Sequence, residues 1–167
     1  STTRRYSCTV GIRYFDAPGL WAVSASIQDS KGLSSSYSET FNLLETACIS
    51  ISPTAMQWPP LFPEETDKLS STNPLIISNT CNKEGSINMK AFDLLGESNP
   101  SFRIPAQRFS IHTVGYCQPI DIGTIMNHNI DIPISGASVQ RGENSLGQGQ
   151  ELLYFCIEEL QDDLSSQ

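Results

Sequence analysis

A run of alternating apolar and polar side chains, LWAVSASIQ, occupies Leu20–Gln28. Successive side chains of a strand point to opposite faces, so a period of two predicts a β-strand with one buried face and one solvated face. A turn signal at Asp29–Gly32 and a second run at Ser36–Leu44 predict a partner strand. The expected buried face of the first strand carries four side chains: Trp21, Val23, Ala25 and Ile27.

Short strand-like runs, separated by turn signals about every ten residues, continue along the chain. They are Tyr6–Tyr14, Cys48–Ile51, Asn73–Ser78, Ser86–Phe92, Arg108–Ile111, Ile130–Ile134 and Gln150–Ile157. The Pro-rich Trp58–Pro63 predicts an edge or a crossover. Only Ile120–Met126 suggests a short helical turn. The pattern predicts an all-β, immunoglobulin-like (Greek-key) β-sandwich.

Two blocks divide the chain. Residues 1–46 contain three predicted strands, which bury too little surface for a comfortable independent domain. We interpret this block as a partial β-sandwich, either the C-terminal strands of a module or donor and edge strands. Residues 47–167 are predicted to form an immunoglobulin-like β-sandwich. Because the chain starts with Ser1, we expect it to be a processed piece of a longer precursor.

The charge balance is acidic, with 18 Asp and Glu residues against 10 Lys and Arg residues and a net charge of −8. Nucleic-acid binding needs a basic surface, so no nucleic-acid partner is expected. No run approaches the roughly 20 apolar residues of a membrane-spanning helix, so no membrane insertion is expected in this segment.

Five cysteines lie far apart, at Cys8, Cys48, Cys81, Cys117 and Cys156. No spacing is typical of a metal site, so no metal is expected. Wide spacing within strand-like runs favours inter-strand disulfides in an oxidising compartment, with buried thiols in a reducing cell as the alternative. The favoured pairs are Cys117–Cys156 and Cys48–Cys81, which leaves one thiol unpaired or bridged to another chain.

Two stretches, Gly19–Phe41 and Ile49–Gly96, resemble immunoglobulin-like modules of archaeal cell-surface and extracellular filament proteins. In the second stretch, Trp58, the polar turn Glu64–Asp67 and the sequence Asn79–Asn82 follow in the order of that pattern. The resemblance implies a secreted, extracellular β-sandwich at the cell surface, and it brings no catalytic residues.

Residues that commonly carry chemistry are few. His112 and His128 are the only histidines, and neither lies in a known nucleophile pattern, so we expect surface or hydrogen-bonded strand positions and no enzymatic activity. The acidic residues of Glu64–Asp67 and Glu143 lack the spacing of a calcium loop and are interpreted as solvated. No cofactor is expected.

Trp58 precedes two prolines and is predicted to be a contact aromatic for a ligand or a subunit. Glycan is the other candidate partner. Asn79–Cys81 is the rare cysteine variant of an N-glycosylation acceptor, and Ser34–Ser36 is a candidate for O-linked sugars.

Both blocks are predicted to lack strands, the first its opening strands and the second a closing strand, and open sheet edges pair readily with other chains. We therefore expect self-association into a homopolymer, a filament or lattice in which copies complete each other's sheets. The donor segment is expected to be Tyr6–Tyr14 or Ile49–Ile51. The alternative is an adhesin or carbohydrate-binding module whose missing strands lie elsewhere in the same polypeptide.

Overall fold

The computed structural model describes residues 5–117 and 123–160, and within these ranges the chain is all-β. Short 3-10 turns lie at Ala106–Arg108 and Asn144–Leu146. The strands are β1 Gly19–Gln28, β2 Ser34–Leu43, β3 Ile49–Ser52, β4 Thr66–Leu69, β5 Leu75–Asn79, β6 Gly85–Lys90, β7 Leu94–Leu95, β8 Arg103–Ile104, β9 Phe109–His112, β10 Thr124–Ile125, β11 Asp131–Val139 and β12 Gln150–Glu159. The predicted all-β class is confirmed.

The longest strand of the main sheet, β12, pairs with different neighbours along its length. Its first half, Gln150–Leu153, pairs with β5, and Tyr154–Ile157 pairs with β9. Strand β4 joins near the end of β12, where Cys156 lies opposite Leu69. The strand order is β10-β9-β12-β5-β3, with β4 beside β12, so β3 and β10 lie at the two ends of this order.

A second layer, the antiparallel pair β6 and β11, packs across the core from the main sheet. Odd-numbered side chains of the main sheet, such as Leu75, Ile111 and Leu153, meet Ile87 and Ile134 of the second layer in one apolar cluster. Leu153 is completely buried. Two antiparallel layers around one core are the architecture of a β-sandwich.

A β-bulge in β11 keeps its apolar side chains pointed at this core. Ile134 and Ala137 are both buried although they are three residues apart, which a regular period of two does not allow. The ladder with β6 shifts between Pro133 and Ser138, and Gly136 in the bulge has a φ of 74°. Glycine adopts this left-handed conformation without a steric penalty.

The hairpin of β1 and β2 forms as predicted, with Gly19 opposite Leu43 and Gln28 opposite Ser34. Its apolar face is nevertheless exposed, and the prediction that Trp21, Val23, Ala25 and Ile27 form a buried face is wrong. Val23 is 45% exposed and Ile27 is 65% exposed. Alternation correctly places these side chains on one face, but no second layer covers that face within the described residues.

Trp21 also differs from the expected core position. Its ring packs against Phe41 at a centroid distance of 6.3 Å, and its indole N–H donates to the Ala17 carbonyl at 2.8 Å. It is half-buried and stands apart from the core cluster of the sandwich.

Three further predictions of local structure need correction. The described part of Tyr6–Tyr14 forms no strand. Thr124–Ile125, within the predicted helical turn, is strand β10, whereas residues 120–122 lie outside the described residues. Strand β4 begins at Thr66, inside the stretch expected to be a polar turn, because Thr66–Leu69 finds a partner in β12.

Two asparagines explain the Asn79–Asn82 sequence as a structural motif. The side-chain oxygen of Asn82 accepts a hydrogen bond from the Thr46 backbone N–H at 2.7 Å, and its amide donates to the Leu44 carbonyl at 3.0 Å. Asn82 thereby fastens the end of the hairpin to the sandwich. The Asn79 amide donates to the carbonyls of Lys83 and Gln140, which closes the turn between β5 and β6.

Two disulfides join the pairs that the sequence favoured. Cys48 and Cys81 have a Cα–Cα distance of 5.1 Å, and Cys117 and Cys156 one of 5.7 Å. Cys8 is an exposed free thiol. Disulfides persist in oxidising compartments, so the pairs indicate a non-cytoplasmic environment. No helix in the described ranges has the length and hydropathy needed to cross a bilayer.

Candidate assembly groove

A groove opens on one side of the sandwich, between edge strand β3 of the main sheet and strand β6 of the second layer. Within the described residues, β3 pairs only with β5, and β6 pairs along its strand only with β11. Each of the two strands therefore presents an unpaired row of backbone N–H and C=O groups along its outer edge.

The lining of the groove is mostly apolar, and its volume is about 390 Å³. Buried side chains form its floor, including Leu75, Ile77 and Ile87. Ile51 lies opposite Ile77 and therefore points to the core side of the sheet. Even so, Ile51 is 47% exposed and Ile49 is 63% exposed. No strand among residues 5–117 and 123–160 covers these inward-facing isoleucines.

The groove adjoins a second apolar depression of about 200 Å³ at Met89, which lines both. Trp58 lies in the wall of this depression. Its indole N–H donates to the Lys68 carbonyl at 3.2 Å, and its ring meets Phe109 edge-on at a centroid distance of 5.8 Å. The predicted contact aromatic is therefore half-buried and fixed by packing, rather than an open stacking platform.

Charges near the mouth of the groove occur in pairs. Lys83 lies 2.7 Å from Glu45, and this hydrogen bond raises the pKa of the Lys83 ammonium. Arg141 lies 2.8 Å from Glu84 and lowers the pKa of that carboxyl, mainly by donating a hydrogen bond to it. Because these partners neutralise each other, the groove offers apolar surface and backbone groups rather than a net charge.

The N-terminal segment is solvent-exposed. Arg5–Arg13 contains no strand, and Tyr6, Val10 and Ile12 are 75%, 65% and 48% exposed. Its connection to the sandwich is Tyr14, whose hydroxyl donates to the Gly142 carbonyl at 3.2 Å and accepts from the Asn144 N–H at 3.0 Å. The segment thus starts from a fixed point, and its last residues, Ile12–Tyr14, border a depression beside Leu43 and Leu44 at the end of β2. It pairs with no strand of the described structure.

His112 was expected at a surface or hydrogen-bonded strand position, and it is a buried strand residue. Its Nε2 lies 2.8 Å from Ser110 Oγ and 3.7 Å from Glu158 Oε1, while Ser110 donates a hydrogen bond to that carboxylate. Gly123 closes the site, since a Cβ there would lie 2.4 Å from the imidazole. Sequence patterns missed this cluster because Glu158 reaches it only through strand pairing.

The three polar residues do not form a proton relay. A catalytic triad needs the acid on one ring nitrogen and the nucleophile on the other. Here Ser110 and Glu158 share the Nε2 side of His112, and Nδ1 has no hydrogen-bond partner among the described residues. Enclosure and geometry therefore indicate a structural polar cluster.

His128 lies on the surface beside Asp93. Its Nδ1 accepts a hydrogen bond from the Asp93 N–H at 3.1 Å and lies 3.2 Å from Asp93 Oδ1. The pKa of Asp93 is lowered chiefly by the Ala106 backbone N–H and also by His128 and Arg103. In the part of the chain that the structure describes, no three His, Cys, Asp or Glu side chains are grouped for a metal ion.

The two candidate glycosylation positions differ in accessibility. Asn79 is 2% exposed, and both ends of its side-chain amide are engaged, since its Oδ1 also accepts from the Cys81 N–H. In the folded chain this amide is closed to a sugar. Ser34–Ser36 lies exposed on β2, so O-linked sugars there stay a prediction.

The chain matches no protein-family model, and no curated protein or solved structure is significantly similar to it.

Proposed function

We propose that this protein is a structural subunit of an extracellular filament or lattice, assembled by β-strand complementation between copies. The observation that supports it is the groove between β3 and β6, where inward-facing Ile49 and Ile51 stay exposed beside two unpaired strand edges. The proposal includes an immunoglobulin-like sandwich that is completed by a neighbouring subunit.

A strand added to the groove would pair the free backbone groups and cover the exposed apolar side chains. Main-chain hydrogen bonds to β3 or β6 would pair the open edges, and alternate side chains would fill the apolar floor. Full burial of a fully exposed isoleucine contributes about 1.5–3 kcal/mol. Ile49 and Ile51 are each about half exposed, so covering both favours association by roughly 2–3 kcal/mol before the entropy loss. Head-to-tail addition of this kind yields filaments when the rotation between copies does not close into a ring.

The two disulfides support a location outside the cytoplasm, and the cell surface is the setting that we propose. Extracellular filaments meet dilution and proteases, where covalent cross-links within each subunit preserve the fold after secretion.

A point-variant pair tests the groove. Ile51→Lys places a charge on the groove wall, whereas Ile125→Lys places the same charge on β10, the opposite edge of the same sheet, at a position with similar exposure (44%). Sedimentation velocity and negative-stain microscopy should show polymers for the parent and for Ile125→Lys, and monomers for Ile51→Lys. Equal assembly of all three proteins would contradict the proposal.

The second candidate is the adhesin or carbohydrate-binding module, and the exposed hairpin favours it. Trp21, Phe41 and Tyr37 lie on one face of the hairpin, and Tyr37 is 70% exposed. Aromatic faces of this kind stack on ligands. Glycan-array binding that is lost in Trp21→Ala, together with a monomeric parent, would support this candidate over the filament.

A further inference from the structure

We propose that the strand that fills the groove is the N-terminal segment Tyr6–Tyr14 of a second copy of this chain. This inference rests on the proposed function and names the donor for it. It also fixes which side chains enter the groove: Tyr6, Cys8, Val10 and Ile12 point inward, and their odd-numbered neighbours point to solvent.

The side-chain pattern of the segment supports this assignment. In YSCTVGIRY, every even-numbered residue from Tyr6 to Tyr14 is apolar or aromatic, and the odd-numbered residues are Ser, Thr, Gly and Arg. A strand with this alternation needs one apolar surface beneath it. Within its own chain the segment is only partly covered: Val10 is 65% exposed, and Ile12 is 48% exposed although it borders Leu43 and Leu44. The groove presents the missing surface in the form of Ile49, Ile51 and the buried floor.

The lengths are also compatible. Arg5–Arg13 is nine residues and spans about 30 Å when extended, while the six residues of β6 span about 20 Å. The segment can therefore follow the whole edge of β6 while the Tyr14 hydroxyl keeps its two hydrogen bonds to the loop of its own subunit.

The other donor suggested by the sequence, Ile49–Ile51, is already engaged. It belongs to β3, which pairs with β5 from Ile49 opposite Asn79 to Ser52 opposite Ile76. Donating it to another copy would break this ladder and pull on the Cys48–Cys81 disulfide at its start. Strand β3 is therefore not available as the donor.

Charge adds an attraction between the N-terminal residues and the body of another copy. Residues 1–16 contain three arginines and one carboxylate, Asp16, which lies 3.3 Å from Arg13, and their formal charge is +2. The remaining chain holds the other 7 basic residues and 17 acidic ones, a formal charge of −10. Opposite net charges accelerate encounter, and salt screens the effect.

Two double variants of the full chain, matched in charge, test the donor and its facing. Val10→Asp with Ile12→Asp puts two carboxylates on the inward face, whereas Ser7→Asp with Thr9→Asp puts them on the outward face. We expect the inward variant to raise the concentration for half-assembly at least about tenfold, because a carboxylate cannot be buried in an apolar groove unpaired. The outward variant should assemble with a much smaller shift, and a synthetic peptide of residues 5–14 should inhibit assembly of the parent.

The outcomes separate the inference from the proposed function. If the inward variant assembles like the parent while Ile51→Lys stays monomeric, the groove is used but the donor is another segment, and the inference is overturned alone. An equal loss of assembly in the inward and outward variants would also overturn the inference, because the face of the strand that carries the carboxylates would then have no effect. If the parent itself stays monomeric at all concentrations, the proposed function fails with it.

Discussion

The Tyr14 hydroxyl donates a hydrogen bond to the Gly142 carbonyl at 3.2 Å, across 128 residues of sequence. The same hydroxyl accepts a hydrogen bond from the Asn144 N–H. These two contacts mark the boundary between an N-terminal segment without strand partners and the folded sandwich. The segment is thus held at one end and exposed along its length, which is the arrangement that strand donation requires.

Removing this hydroxyl tests the anchor. Tyr14→Phe should lower the free energy of unfolding by about 1 kcal/mol, since it deletes one partly buried hydrogen bond and leaves the Asn144 N–H without this acceptor. Urea denaturation of monomeric protein measures the change. Tyr6→Phe, at a position 75% exposed, is the control and should unfold like the parent. A Tyr14→Phe protein as stable as the parent would show that the anchor is dispensable.

The sandwich and the hairpin should differ sharply in their contribution to stability. Leu153→Ala removes a completely buried side chain and should lower the free energy of unfolding by about 2–5 kcal/mol. Trp21→Ala changes a half-buried residue of a hairpin outside the core and should change the stability of the sandwich by less than about 1 kcal/mol. Denaturant titration of both variants makes the comparison. A large loss in Trp21→Ala would mean that the hairpin face is covered in solution.

The disulfide at the groove wall should stabilise the monomer. Replacing Cys48 and Cys81 with serine opens a loop with a sequence separation of 33 and should cost about 4 kcal/mol in the chain-entropy model. Cys8→Ser, which changes an exposed free thiol, is the matched control and should leave unfolding unchanged. Chemical denaturation without reductant measures both, and coinciding curves for parent and double variant would refute the expectation.

Asp93 should make part of the stability depend on pH. Its pKa is lowered from the ordinary value of 3.8, first by the Ala106 N–H and then by His128 and Arg103. The folded state therefore binds a proton less readily than the unfolded state does, so this contribution is present above the unfolded pKa and disappears as the pH falls through the folded pKa. Asp93→Asn keeps an oxygen for the Ala106 N–H but removes the charge.

The stability of Asp93→Asn relative to the parent should accordingly vary with pH. The difference should be largest between neutral pH and the ordinary aspartate pKa, and should shrink in more acidic solution. Thermal unfolding over this pH range measures it, with Asp131→Asn, whose carboxylate is 66% exposed beside Lys90, as the control. A difference that stays constant with pH would contradict the assignment.

The local alternation of the sequence predicted most strands because a period of two is an intrinsic property of extended chain. It placed Ile87 and Met89 on one face correctly, and both pack in or against the core. Alternation does not show whether a second layer packs on an apolar face, so it predicted Val23 and Ile27 to be buried in the core. That question depends on which layers exist, and layers are set by pairing between distant strands.

The sequence predicted open sheet edges but could not predict which strands form the groove. Open sheet edges followed from the small number of strands in each block, but the two edges that meet are β3 and β6, which are more than thirty residues apart in sequence. Strand β4 was missed because its residues, Thr66–Leu69, are polar and become a strand only by pairing with the end of β12. The buried group around His112 was missed for the same reason.

Hydrogen–deuterium exchange of the full chain across a range of protein concentrations tests strand complementation most directly. We expect the backbone amides of Tyr6–Tyr14 and of the outer edge of β6 to exchange quickly in dilute protein and to become protected together as the concentration rises. Fast exchange of both at every concentration, in a protein that sediments as a monomer, would contradict the account.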